Sequence, residues 1–169
     1  MKYIDVELMN RVCDCKNTNL VEDEKIWQDR LTKYYEYLET INSRFPKKFF
    51  DFYTKIGMHD SILVSFQVKK NHLANSTRID VDTLWVKNNK KFSLVFKDVK
   101  NINVSVDLLN GYCEFGDYLI GEFSEINESL LNFEFLFYDS NNSVNLVFKK
   151  LCYKTVREKD RGRFRVLTQ

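Results

Sequence analysis

His59 and Asp60, adjacent in the run Gly57-Met58-His59-Asp60-Ser61, are the pair in this chain best equipped for acid–base chemistry. Histidine titrates near neutrality, and a neighbouring carboxylate can orient its ring. No second histidine or nucleophile stands at a recognisable spacing from them. The same residues also suit a simpler purpose. An Asp-Ser pair just after a helix end hydrogen-bonds local backbone amides and shapes the turn into a strand. Turn formation is the first expectation for this run, and catalysis by His59 and Asp60 the second.

Cys13-x-Cys15, together with Cys113, Cys152, His59 and His72, raises the question of a metal. Structural zinc sites use Cys pairs separated by two to four residues and a second matching pair, whereas here the spacer is a single residue and the second pair is missing. The cysteines read as thiols, and neither a metal site nor a cofactor is expected.

Charge is the other distinctive feature. From Gly111 to Asp139 the chain carries seven carboxylates and no Lys, Arg or His, whereas Ser143 to Gln169 carries eight basic residues against Glu158 and Asp160. Two solvated faces that pair with each other would account for this pattern. The functional alternative is a docking face for a basic protein, made by Glu114, Asp117, Tyr118, Glu122, Glu125 and Glu128, with Tyr112, Tyr118 or Tyr138 exposed beside them. A net charge of +2 supplies no general pull toward nucleic acid or membrane, and no recognition motif points to nucleic acid. No apolar run reaches the ~20 residues of a membrane span, and Met1 to Asp5 lacks a signal-peptide core, so a cytoplasmic location is expected.

The elements that must position these residues divide at Gly57. Before it, Ile26, Trp27, Leu31, Tyr34, Tyr35, Leu38, Ile41 and Phe45 recur at spacings of three and four, the stripe of an amphipathic helix. Pro46 starts a second helix through Phe49, Phe50, Tyr53 and Ile56, which Gly57 ends. Met1 to Val12 is an opening strand or a ragged helical turn. After Ser61 the period falls to two: Ile62, Val64, Phe66 and Val68 alternate with polar residues, and similar runs recur to Phe148. A break is expected at Lys97 to Asn101, and the clearest hairpin joins Leu131–Phe137 to Val144–Phe148. With fourteen Phe, nine Tyr and one Ala, the core must be built from large rings. The fold class is α+β: N-terminal helices packed on one face of a curved antiparallel meander of about six strands, with a half-barrel as the alternative closure. A single domain is expected, with a helical preface (1–57), a sheet (61–156) and a basic tail (157–169).

The run Met58-His59-Asp60-Ser61 leading into a strand, then Phe92-x-Leu-x-Phe96 with Val99, then the hairpin from Phe133 to Phe148, resembles a bacterial family. In that family a Leu-His-Asp-Ser motif precedes an antiparallel sheet. The likeness spans about Ile56 to Val156. Met58 stands where Leu is usual, and the helical part is shorter. Similar sheets occur among immunity proteins that neutralise toxins, so the resemblance implies a non-enzymatic protein-binding domain whose surface would occlude a basic toxin. The rivals are an enzyme using His59 and Asp60, and a curved sheet that binds a ligand in an apolar cavity lined by Phe and Tyr.

Overall fold

The computed structural model describes residues 1–73, 76–105, 117–138 and 142–156. Three α-helices come first: α1 (Val6–Cys13), α2 (Leu20–Thr40) and α3 (Lys47–Lys55), with a 3-10 turn at Asn42–Arg44 between the last two. Eight strands follow among the described residues: β1 (Ile62–Leu73), β2 (Ser76–Lys87), β3 (Lys90–Lys97), β4 (Asn101–Ser105), β5 (Tyr118–Asn127), β6 (Leu130–Phe137), β7 (Ser143–Phe148) and β8 (Lys150–Val156). The α+β class and the N-terminal helices are as expected. The strands, however, divide between two four-stranded antiparallel sheets, ordered β1-β2-β3-β8 and β4-β7-β6-β5, and neither closes into a barrel.

The division has a local cause. The expected break after Lys97 is where the chain leaves one sheet for the other, with Asp98 in left-handed backbone (φ 54°). Asp98 then holds both Lys100 (2.6 Å) and Lys149 (2.9 Å). Lys149 marks the matching crossing in the opposite direction, between β7 and β8, and its amide donates to the Lys97 carbonyl (3.1 Å). Two bent strand pairs, β3–β4 and β7–β8, thus turn the same corner side by side, the usual way one meander becomes two packed sheets. Residues beyond Val156, where the basic tail is expected, lie outside the described residues.

The helices follow from their sequence signals. Asp5 caps α1, its carboxylate accepting from the Leu8 amide (3.0 Å), which makes the opening segment a helix rather than a strand. The buried stripe of α2 is narrower than its apolar spacing suggests: Tyr34 and Leu38 are buried, while Ile26 and Tyr35 are exposed by 38% and 42%. Gly57 ends α3 at φ +73° as expected, with the amides of Ile56 and Gly57 both donating to the Phe52 carbonyl (3.0 Å). Ile56, expected inside, is exposed.

One aromatic core joins helices and sheets. Trp85 of the first sheet meets Phe135 (5.7 Å) and Phe137 (6.4 Å) of the second, and Phe96 meets Phe148 edge-on at 4.9 Å. Helix α3 bridges the two sheets, with Phe52 against Phe92 on one side and Phe49 against Phe123 on the other.

Among the described residues β5 is the edge of its sheet, so beyond Tyr118, where the chain before β1 pairs with it, its outward amides and carbonyls lack a strand partner. Three helical tyrosines supply it. Tyr53 Oη donates to the Gly121 carbonyl (2.6 Å), the Phe123 amide donates to Tyr34 Oη (2.6 Å), and the Glu125 amide donates to Tyr37 Oη (2.7 Å). Residues 121, 123 and 125 share the outward side because strand geometry repeats every two. Tyr34→Phe strands the buried Phe123 amide and is expected to lower unfolding free energy by about 1–3 kcal/mol in urea titration. Tyr37→Phe frees an amide that water can reach, so its loss should be well below that; equal losses would show that the edge contacts are not what distinguishes the two tyrosines.

Candidate functional site

A cavity of about 320 Å³ lies between the helices and the start of β5. Ile4, Met9 and Cys13 close it from the N-terminal segment and α1, and Trp27, Leu31, Tyr34 and Tyr35 line it from α2. Tyr53, Gly57, Met58 and His59 come from α3 and the joint that follows, Tyr118 to Gly121 from β5, and Tyr138 from the end of β6. Among the described residues this wall contains no Lys, Arg, Asp or Glu.

Its polar residues form two groups. The inner one is Tyr34, Tyr53 and Tyr118, all buried. Tyr34 and Tyr53 place their hydroxyls 3.2 Å apart, and the Tyr118 hydroxyl approaches Gly121 beside them. Burial pushes all three phenols above their ordinary value, so they stay protonated through the physiological range. Gly121 makes room for them. A Cβ there would lie 2.6 Å from Tyr118 Oη, 2.7 Å from Phe135 Cβ and 2.9 Å from the Glu134 carbonyl.

The outer group is His59, Asp60 and Tyr138. His59 Nδ1 lies 2.9 Å from Asp60 Oδ1, and His59 Nε2 lies 3.0 Å from Tyr138 Oη. Asp60 takes left-handed backbone (φ 61°), which swings the pair outward. The joint is sewn to β5: the Asp60 amide donates to the Tyr118 carbonyl (3.1 Å), and the Tyr118 amide to the Ser61 carbonyl (2.7 Å). Lys87 Nζ donates to the His59 carbonyl. The run from Gly57 to Ser61 forms a turn, but its backbone closes it, the Ser61 amide donating to the Met58 carbonyl (2.9 Å), and not the expected Asp-Ser side chains: the Asp60 carboxylate pairs with His59 and the buried Ser61 hydroxyl has no partner among the described residues. The turn also sets His59 on the cavity wall.

The acidic stretch is divided by the fold. Glu122, expected on an exposed docking face, is only 2% exposed, because its carboxylate accepts from the amides of Lys2 (2.9 Å), Tyr3 (2.8 Å) and Ile4 (3.0 Å). Its cross-strand neighbour Glu134 takes the Met1 amino group (3.0 Å). Tyr118, also expected outside, is buried in the hydroxyl cluster. Glu125 pairs with Arg44. Asp117 and Glu128 are exposed at opposite ends of β5. Glu114, Tyr112 and Cys113 lie outside the described residues. Among the cysteines, Cys13 lines the cavity, Cys15 is exposed, and Cys152 lies on β8. His72 sits at the far end of β1, opposite Thr77.

Tyr34, Tyr53 and Gly121 are the site residues that residue chemistry alone passed over. Their signals were present: tyrosine in place of leucine or phenylalanine on a buried stripe needs a partner for its hydroxyl, and a glycine inside a strand marks a close approach.

Fold and site together define a two-sheet α+β domain with a tyrosine-floored cavity beneath its helices. Comparison with protein-family models, with curated proteins and with solved structures yields no match to this chain.

Gly121→Ala drives a methyl group into backbone and is expected to cost about 1–3 kcal/mol of stability, read as a lowered urea midpoint. Glu122→Ala leaves three amides without their acceptor. Hydrogen exchange at Lys2, Tyr3 and Ile4 should accelerate well beyond the change at β6 amides, and uniform acceleration would mean that Glu122 does not hold this segment in particular.

Proposed function

We propose that this chain is a binding protein for a small, largely apolar molecule held in the cavity between α1, α2 and β5. The observation that carries the reading is the cavity itself. Its volume of about 320 Å³ falls within the range of small-molecule sites, and its wall is mostly apolar and aromatic with a few converging polar groups. Burying a ligand of ten or so heavy atoms against Trp27, Leu31, Met9 and Met58 removes apolar surface from water on both partners. This reading is closest to the expected apolar cavity lined by aromatic side chains, with the pocket lying beside one sheet edge rather than inside a curved sheet.

The reading as a protein-binding domain, including the immunity role against a basic toxin, has less support. It relied on one continuous acidic surface, and with Glu122 and Tyr118 buried, what is left of that surface among the described residues is Asp117 and Glu128 at opposite ends of a strand, with Glu125 already paired. Acid–base chemistry on the bound molecule is favoured by one observation, the alignment of Asp60, His59 and Tyr138 on the cavity wall. It requires that wild-type protein alter a captured ligand and that His59→Ala return it intact; recovery of intact ligand from both removes this reading.

The binding reading is tested by calorimetric titration with a neutral aromatic probe, 3-phenylpropan-1-ol. Leu31→Trp, on the half-exposed wall of α2, fills the cavity and should weaken binding by about tenfold or more while the thermal midpoint stays near that of wild type. Undiminished binding by Leu31→Trp, or no binding by the wild type, would exclude the cavity as the site.

A further inference from the structure

Ile4, Met9 and Cys13 are the cavity residues that come from before α2, and they form one side of its wall. The chain from Lys2 to Ile4 belongs to neither helix nor strand, and its amides are taken by a side chain. The Glu122 carboxylate accepts from Lys2 (2.9 Å), Tyr3 (2.8 Å) and Ile4 (3.0 Å). Bonds from amides to a carboxylate are stronger than those between neutral groups. Here they are also shielded from water, since Glu122 is buried. Glu122 itself does not line the cavity.

Helix α1 continues from this segment and shares its attachment. Eight residues are too few to stay helical in water without packing. Its main packing partner is α2, and Leu8 and Met9 are buried but stand outside the aromatic core that joins helices and sheets. Ion pairs tie its two ends, Asp5 with Arg30 (3.1 Å) and Arg11 with Asp23 (3.2 Å). The arginine side chains are 40% and 53% exposed, and pairs so placed contribute little. Tyr3 lays its ring on Tyr37 at 5.3 Å. Segment and helix thus form one unit, whose leading end is fixed to β5 by the Glu122 carboxylate.

Resting on the reading of the cavity as a binding site, we propose that Glu122 is its positioning residue: by docking Lys2 to Ile4 on β5 it holds Ile4, Met9 and Cys13 as a wall, and docking and ligand binding stabilise each other. A ligand touches these three side chains together only while the segment is docked, so it binds the docked form more tightly than the undocked one. Linkage then requires the reverse, that an occupied cavity holds the segment in place by the same factor. The cavity is assembled from two parts, and a side chain outside it sets its affinity.

Calorimetric titration of 3-phenylpropan-1-ol and hydrogen exchange, both on the full chain, test the coupling. Glu122→Gln keeps the size of the side chain, removes its charge and puts a donor in place of one acceptor oxygen, and should weaken binding about fivefold or more. Leu8→Ala loosens α1 at a residue that does not line the cavity. It should weaken binding in the same direction, and it carries the test if Glu122→Gln does not fold. In wild type, saturating probe should slow exchange at the Lys2 and Tyr3 amides about fivefold or more, although neither residue lines the cavity. Asn71 and His72, at the far end of β1, should keep their rates. Undiminished affinity in Glu122→Gln, or in Leu8→Ala should the first not fold, overturns the coupling and leaves the cavity reading standing. So does exchange at Lys2 and Tyr3 that the probe leaves unchanged, because weaker binding in the variants would then reflect general loosening. No binding of the probe by wild type removes both.

Discussion

The free edge of β5 is the constraint on which the rest of the structure depends. A strand edge presents amides and carbonyls that must find partners, and leaving them buried without any costs more than most side-chain contacts return. Here the partners are tyrosine hydroxyls on α2 and α3 rather than another strand. Because a tyrosine reaches the edge with its tip, it holds the helix several ångströms farther away than direct backbone pairing would. Space is left between helix and strand beside these contacts, and the cavity occupies part of it. Two of these tyrosines, Tyr34 and Tyr53, also line its wall, so edge protection and site construction share residues.

A second constraint is the pair of carboxylates at Glu122 and Glu134, opposite each other on neighbouring strands. Like charges in that relation repel. The N-terminal segment resolves the conflict by bringing amide groups to one and an amino group to the other. Ile4 and, through α1, Met9 and Cys13 are thereby placed on the cavity wall. A charge pattern that reads in sequence as a solvated or docking face is in the fold an anchoring point for the segment that closes the site.

The joint from Gly57 to Ser61 connects these parts. Gly57 ends α3 and Asp60 redirects the backbone, both in left-handed conformation, and reciprocal hydrogen bonds tie the joint to Tyr118 at the start of β5. Its location could be read from residue types: a glycine after a helical stripe, Asp-Ser, and then a period of two. Its proximity to Tyr138, seventy-nine residues later, could not.

Periodicity by itself determined the helical N-terminal region, the antiparallel strands after Ser61, the Leu131–Phe148 hairpin and a core made of rings, because each rests on spacing between near neighbours in the chain. It also marked the break near Lys97, although not that the break carries the chain from one sheet to the other. The division into two sheets, the burial of Glu122 and Tyr118, the outward turn of Tyr35 and Ile56, and the cavity were decided only by tertiary structure. Each depends on which surface meets which across sixty to a hundred and thirty residues. A carboxylate or a phenol reads the same in sequence whether water or a backbone amide is to be its partner; the choice is made by the edge that needs covering and the segment that arrives to cover it.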